Sequence, residues 1–232
     1  MQNEHLKLLE KKIGYSFVNE QFLLTSLTHS SFSNENKNLA LAYESYERME
    51  FFGDAILEFL VSEMLYTNYS NLSEGKLTKL RALLVCEETL NNCAVELELS
   101  KHIFMSSGSV QSGGLERPSI LADVVESIVA AIYLDGGIEP ARTFVMKILN
   151  KHISLALEGR LHSDYKSALQ ESVQGSSRKE IKYVLATAEG PVHERTFMYD
   201  LYIGGIFFGS GTGKTKKEAQ QQAAKVGMEK LP

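Results

Sequence analysis

The run Glu47-Arg48-Met49-Glu50-Phe51-Phe52-Gly53-Asp54-Ala55-Ile56-Leu57-Glu58 sets carboxylates into an otherwise apolar stretch. Wound as a helix at about 100° per residue, Glu47, Glu50 and Asp54 share an arc of roughly 60°, while Phe52, Ile56, Phe59 and Leu60 cover the opposite side. Carboxylates so spaced repel one another, and withdrawing each from water costs on the order of several kcal/mol unless positive charge compensates. The anomaly recurs at Asp123 and Glu126, which sit among Leu121, Val124, Val125, Ile128 and Val129. Glu58 or Glu63 taken alone reads as a solvated surface group. A buried ion-pair network is the bland account of the whole set, but the local sequence offers only Arg48 as a partner. Two acidic pairs on two apolar helices packed face to face would form a cluster of hard oxygen donors. Mg²⁺ or Mn²⁺ prefers such a cluster, whereas Zn²⁺ would want His or Cys. One or two such ions activate water and neutralise the charge that develops on a phosphoryl group. Phosphodiester hydrolysis is the leading chemistry, and a phosphatase or pyrophosphatase site would look alike at this level.

A second set of residues could bind phosphate without cutting it. Gly209-Ser210-Gly211-Thr212-Gly213-Lys214-Thr215 resembles a nucleotide phosphate loop, but Phe208 stands where that loop needs its first glycine. The setting is also an antiparallel hairpin, so no nucleotide cofactor is expected. What remains is Lys214, Lys216 and Lys217 at a helix N-terminus, where the macrodipole disfavours cations and favours an anion. Solubilising surface lysines would explain these three equally well. Gln170, Glu171 and Gln174 on one helix face, and His193 in the turn Gly190-Pro191-Val192-His193-Glu194-Arg195, shift the balance. Such polar side chains suit the 2′-hydroxyls and base edges of a shallow RNA minor groove, with lysines on the intervening phosphates. No aromatic-rich sheet signature for single-strand stacking accompanies them.

The elements that must position these groups divide the chain in two. Residues 1–157 read as helices throughout. Leu6, Leu8, Leu9 and Ile13 mark a first helix, and Asn19 caps a second through Leu27. Ser30 to Tyr43 reads as a loop, the acidic helix runs to about Tyr66, and Ser73 caps a helix carrying Leu77 through Leu90. Ser106 to Gly114 reads as a mobile loop. Pro118 opens an apolar helix ended by Gly136-Gly137, and a last helix runs from Pro140 through Ile153. Residues 158–163 read as a linker. Residues 164–232 then read α-β-β-β-α: a helix capped by Asp164 and ended by Gly175, strands at Lys182 to Ala188 and Thr196 to Ile203, a Gly204-Gly205 turn into Ile206-Phe207-Phe208, and a helix from about Thr215 to Lys230.

Composition agrees with two packed domains. The 232 residues are 44% hydrophobic and carry a net charge of −5. From Ser163 onward, 10 Lys and Arg stand against 8 Asp and Glu, net +2, leaving 14 against 21, net −7, for the rest. That asymmetry puts any polyanion on the second domain. No membrane span or secretory signal is legible, so a cytoplasmic location is expected. Cys86 and Cys93, seven apart in a helix-like segment, would have Cα atoms about 10 Å apart, too far for a disulfide.

Several spaced blocks together resemble bacterial ribonuclease III. They are Glu47 to Leu57, Leu27-Thr28-His29, Ser73-Glu74-Gly75-Lys76-Leu77, Arg117-Pro118-Ser119-Ile120-Leu121-Ala122-Asp123 and Tyr133-Leu134-Asp135-Gly136-Gly137. The tail resembles that family's double-stranded RNA-binding domain through Asp164-Tyr165-Lys166, Leu169-Gln170-Glu171, Gly190-Pro191-Val192-His193 and Lys216-Lys217-Glu218-Ala219. The resemblance implies an all-α catalytic domain followed by a small α+β RNA-binding domain. It implies a homodimeric, Mg²⁺-dependent endonuclease that cuts both strands of duplex RNA, leaves 5′-phosphates, and acts in ribosomal RNA maturation and messenger RNA turnover. By position, Glu50, Asp54, Asp123 and Glu126 would be the metal set, with Asp54 and Glu126 most tied to catalysis. Glu47 and Glu74 would be supporting acidic residues, and Phe51 a dimer contact. Met49 and Phe52 stand where the family usually has leucine, and Gln220 replaces a common lysine. Two other readings compete: an RNA-binding protein that does not cut, and a small-molecule phosphohydrolase.

Overall fold

Apolar residues recurring three and four apart fold residues up to His162 into a helical unit, and a change to alternating periodicity marks a second unit from Ser163 onward. The computed structural model describes residues 2–36, 44–158, 161, 165–176, 179–191 and 195–231, without the side chains of 2–5, 167, 168, 171 and 174–176.

In the first unit the described helices are α1 (Gln2–Ile13), α2 (Glu20–Ser26), α3 (Ser30–Glu35), α4 (Glu47–Asn68), α5 (Glu74–Leu84), α6 (Glu87–Glu96), α7 (Ser107–Gln111), α8 (Pro118–Gly136) and α9 (Ile138–Leu157). Helix α8 is apolar nearly all round, with Leu121, Val124, Val125, Ile128, Val129 and Ile132 buried, and it forms the axis of the core. Proline at its first turn supplies the fixed φ that a helix start needs, and Gly137 leaves it at φ 85°. Asp135 near its end accepts hydrogen bonds from the Tyr15 hydroxyl (2.7 Å) and the backbone N–H groups of Val18 (2.8 Å) and Asn19 (2.9 Å). Asn19 in turn caps α2 by accepting from the Gln21 N–H. Along α8, the Ser127 hydroxyl donates to the Ser26 carbonyl at 2.7 Å. These bonds fix α8 against the start of the chain.

Three expectations fail locally, each because a side chain offers the backbone a partner. Residues 30–35 are helix rather than loop: His29 caps α3, its Nδ1 accepting from the Ser31 N–H. Residues 37–43 of that expected loop lie outside the described residues. Ser106 to Gly114 contains α7, with Ser106 Oγ accepting from the Ser109 N–H, so the serines act as caps. The single helix expected through Leu90 breaks at Val85 and Cys86, where the Thr89 hydroxyl donates to the Leu83 carbonyl at 2.6 Å. Both cysteines are free. Leu161, inside the expected linker, is buried in the first unit's core and donates its N–H to the Leu155 carbonyl.

The second unit comprises α10 (Tyr165–Ser176), an antiparallel sheet ordered β1 (Ile181–Glu189), β2 (Thr196–Ile203), β3 (Ile206–Gly213), and α11 (Lys216–Glu229). Gly204 and Gly205, at φ 58° and 81°, make the two-residue turn between β2 and β3. The Asp164 cap lies outside the described residues. The core is Leu169, Val173, Leu201, Ile203, Ala223 and Ala224. Gly209, Gly211 and Gly213 alternate along β3 on the face that meets α11. A Cβ on Gly211 would stand 2.0 Å from Ala223 N and 2.5 Å from the Ala219 carbonyl oxygen, and one on Gly213 would stand 2.6 Å from Ala219 N. The glycine repeat that resembles a phosphate loop is therefore strand, bare of side chains so that a helix can lie directly on it. Among the described residues no helix is long and apolar enough to cross a membrane.

Candidate active site and nucleic-acid interface

Helices α4 and α8 carry the carboxylates, and Gly53 sets how closely they pack. It is buried, and a Cβ there would lie 1.9 Å from the Glu126 carbonyl oxygen. With no side chain at Gly53, Glu50 on one side of it reaches Glu126 and Asp123 across the contact. One carboxylate oxygen from each of these three residues lies within 4.8 Å of the others, and all three are half-buried.

The electrostatics of this set are those of unneutralised carboxylates. Glu126 is pushed up to about 8, first by burial and then by Asp54, Asp123, Glu50 and Glu58. Glu50 is raised by burial and by Asp123, Glu47 and Asp54. Asp123 is raised by burial and by Glu87, against the opposing pull of a hydrogen bond from Tyr46 and of nearby His29. Among the described residues, the charged neighbours that shift Glu126 are all acids, a situation that favours a proton or a divalent cation. Three convergent oxygen donors fit Mg²⁺ or Mn²⁺ by chemistry and by separation.

Of the carboxylates expected at the site, Glu50, Asp123 and Glu126 come together. Asp54 stands outside the 4.8 Å group, exposed to solvent, yet close enough to act on both Glu50 and Glu126. Glu47 is exposed at the start of α4 and acts on Glu50. Glu74 is exposed at the start of α5, where its carboxylate accepts from the Thr78 hydroxyl at 3.0 Å. Phe51 is 82% exposed and lines a hollow of about 670 Å³ with Phe22, Met49, Phe52 and Leu134. Phe52 and Phe59, expected to be inward, also reach the surface, whereas Ile56 and Leu60 are buried.

Residue spacing did not point to Tyr46 or His29. Tyr46 precedes α4, is 3% exposed, and donates a long 3.4 Å hydrogen bond to Asp123 Oδ2. Burial, with Asp123 and Glu50 nearby, pushes its phenol far above the ordinary range, so it stays a donor. The His29 ring meets Tyr46 edge-on at 5.9 Å, and burial lowers its pKa despite Glu47 and Asp123. An aromatic just ahead of an acidic helix was the available signal.

On the second unit, Gln170 is exposed on α10; Glu171 and Gln174 lie on the same helix with side chains outside the description, and His193 lies outside the described residues. Lys214, Lys216 and Lys217 are exposed at the start of α11. Glu218 already supplies one anion there: it accepts from the Lys214 N–H at 2.7 Å, and its own N–H donates to Thr215 Oγ1. Gln220, where a lysine is common in such domains, accepts from Lys166 Nζ at 2.8 Å.

The model of the ribonuclease-III-like family matches residues 19–153, and that of the double-stranded RNA binding motif matches residues 165–231. The chain belongs to the ribonuclease III family. It is 45% identical over 227 residues to ribonuclease 3 of Pelotomaculum thermopropionicum, covering 98% of this chain and 93% of that one. Ribonuclease 3 of Caldanaerobacter subterraneus subsp. tengcongensis is 44% identical, with 97% and 98% covered. Among solved structures, the nuclease domain of Campylobacter jejuni ribonuclease III, described for flexibility in a region involved in dimer formation, matches with a TM-score of 0.58 and 38% identity. That match covers 63% of this chain and 96% of that one. The ribonuclease III fold is thus shared: a helical nuclease unit followed by an α-β-β-β-α RNA-binding motif.

Proposed function

We propose that this ribonuclease III-family chain is an endonuclease that hydrolyses both strands of double-stranded RNA with Mg²⁺, leaving 5′-phosphate and 3′-hydroxyl ends. The observation that carries the reading is the convergence of the half-buried Glu50, Asp123 and Glu126 from two packed helices. The catalytic domain would extend to about His162, since Leu161 belongs to its core, with the RNA-binding domain following from Ser163. A divalent ion at the carboxylates would supply an activated water and charge neutralisation for the attacked phosphate. Glu50, Asp123 and Glu126 would hold it, with Asp54 beside them at the solvent edge. Asp54 and Glu126 are the residues most tied to the chemistry; without metal, burial and the neighbouring acids raise Glu126 to about 8, so a proton competes there with the cation and binding the ion would release it. Glu47 and Glu74 add negative charge around the site. Mn²⁺ substitutes for Mg²⁺ because it shares the preference for oxygen donors.

Gln170, Glu171, Gln174 and His193 would meet the RNA minor groove, with Lys214, Lys216 and Lys217 on phosphates. Two copies would pair through the face bearing Phe51, which offers an exposed aromatic at a hollow where Phe22, Met49, Phe52 and Leu134 meet a polar rim that includes Glu44, Glu47 and Arg48. The enzyme would act in the cytoplasm on ribosomal and messenger RNA precursors.

The test separates binding from cutting. A defined RNA duplex is incubated with wild-type protein and Glu126→Gln, in Mg²⁺ and in Ca²⁺. Wild type should cut in Mg²⁺, while Glu126→Gln binds the duplex but leaves it intact. Equal cutting by both would sink the assignment.

A further inference from the structure

Tyr46 is held from both ends. Its backbone N–H donates to the Thr28 carbonyl at 2.9 Å, and its carbonyl accepts from the Glu50 N–H at 2.8 Å, so the residue begins the turn that carries Glu50. Its ring packs edge-on against His29, and that imidazole is itself fixed. The Ser31 N–H donates to His29 Nδ1 at 3.1 Å, and the backbone N–H of His29 donates to the Phe104 carbonyl at 2.9 Å. Ser31 Oγ also accepts from the Ser106 N–H at 3.1 Å. The phenol is thereby pinned at the edge of the acidic set, where its hydroxyl reaches Asp123 Oδ2 from 77 positions away in the chain.

We propose that Tyr46 is a positioning residue of the carboxylate site, its hydroxyl holding the Asp123 carboxylate in the orientation in which it meets Glu50 and Glu126. The inference rests on reading those three residues as metal ligands. Asp123 stands on α8 and Glu50 on α4, and Tyr46 touches both: one through the backbone, the other through the side chain. Repulsion among the carboxylates would otherwise turn Asp123 away from its neighbours whenever no cation is bound. A hydrogen bond from a rigid phenol opposes that rotation, as groups behind a ligand commonly do at metal sites. A merely space-filling role would need only the ring, which phenylalanine also supplies.

The experiment compares full-length wild type, Tyr46→Phe and Glu126→Gln for Mn²⁺ binding without RNA, by titration calorimetry or the electron paramagnetic resonance of free Mn²⁺. Circular dichroism and melting temperature in EDTA check the fold. Tyr46→Phe should keep its fold and bind Mn²⁺ about tenfold more weakly, the scale seen when a partner of a metal ligand is removed. Its duplex cleavage should require correspondingly more Mg²⁺ and recover at saturating metal. Unchanged Mn²⁺ affinity in Tyr46→Phe beside weakened binding in Glu126→Gln would overturn the role of Tyr46 alone. Wild-type affinity in Glu126→Gln would overturn the metal reading, and the role of Tyr46 with it.

Discussion

The carbonyl oxygen of Glu126 lies 1.9 Å from where a Cβ on Gly53 would stand, so the backbone carrying one carboxylate rests directly on the helix carrying another. Such an approach is open only to glycine, and the obstructing atoms are backbone that no rotamer change can move. Gly53→Ala should push α4 and α8 apart and destabilise the protein by about 3 kcal/mol or more. Chemical denaturation measures the loss. Duplex cleavage by whatever fraction still folds should fall as well, because separation widens the carboxylate set.

Glu126→Gln should make the metal-free protein more stable while abolishing cleavage. The substitution keeps the shape of the side chain and removes the charge that Asp54, Asp123, Glu50 and Glu58 repel. Melting in EDTA at pH 8 should show a higher midpoint than wild type. A lower midpoint would mean that the Glu126 carboxylate is stabilised by a cationic partner.

The same repulsion sets a pH dependence. Glu126 has its folded value raised from 4.5 to about 8, so between those values the folded chain keeps a proton that the unfolded chain has released. Stability must then fall as pH rises through that window and level off above it. His29 is lowered from 6.5, which costs stability in the opposite direction, as pH falls below 6.5. The carboxyl effect is cleanest from pH 6.5 to about 8. Metal-stripped wild type should lose melting temperature across that range, Glu126→Gln should lose much less, and Mn²⁺ should flatten the wild-type curve.

Gly211→Ala tests the second unit separately. The added methyl would meet Ala223 N at 2.0 Å and the Ala219 carbonyl oxygen at 2.5 Å. A core this small has little stability to spare, and overpacking costs about 1–3 kcal/mol. Duplex binding at physiological salt should be lost, with the thermal transition of the nuclease unit unchanged. Retained binding would show that α11 can move off β3.

Much of this architecture was legible because burial follows periodicity. The apolar stretch from Ile120 to Ile132 announces a core helix without help from the rest of the chain, and two acids inside it announce an exception. The misread segments turn on single side chains whose pairing with the backbone is set by geometry that composition does not encode: Ser106 caps a helix where a loop was expected, and Thr89 accompanies a break where one continuous helix was expected. Tyr46 escaped notice because its function depends on a residue far away in sequence. The lysines at α11 illustrate the converse. They looked like a site wanting an anion, and Glu218 proves to be one anion already there.

The distance in sequence between the two halves of the acidic cluster also bears on how the chain is made. When α4 emerges during synthesis, Glu50 and Asp54 are ordinary hydrated charges, and they remain so until Asp123 and Glu126 follow. The mutual repulsion is met only once α8 is present, and α8 brings Val124, Val125, Ile128 and Val129 in the same segment. The apolar contact that can outweigh the repulsion therefore arrives together with the charges that cause it.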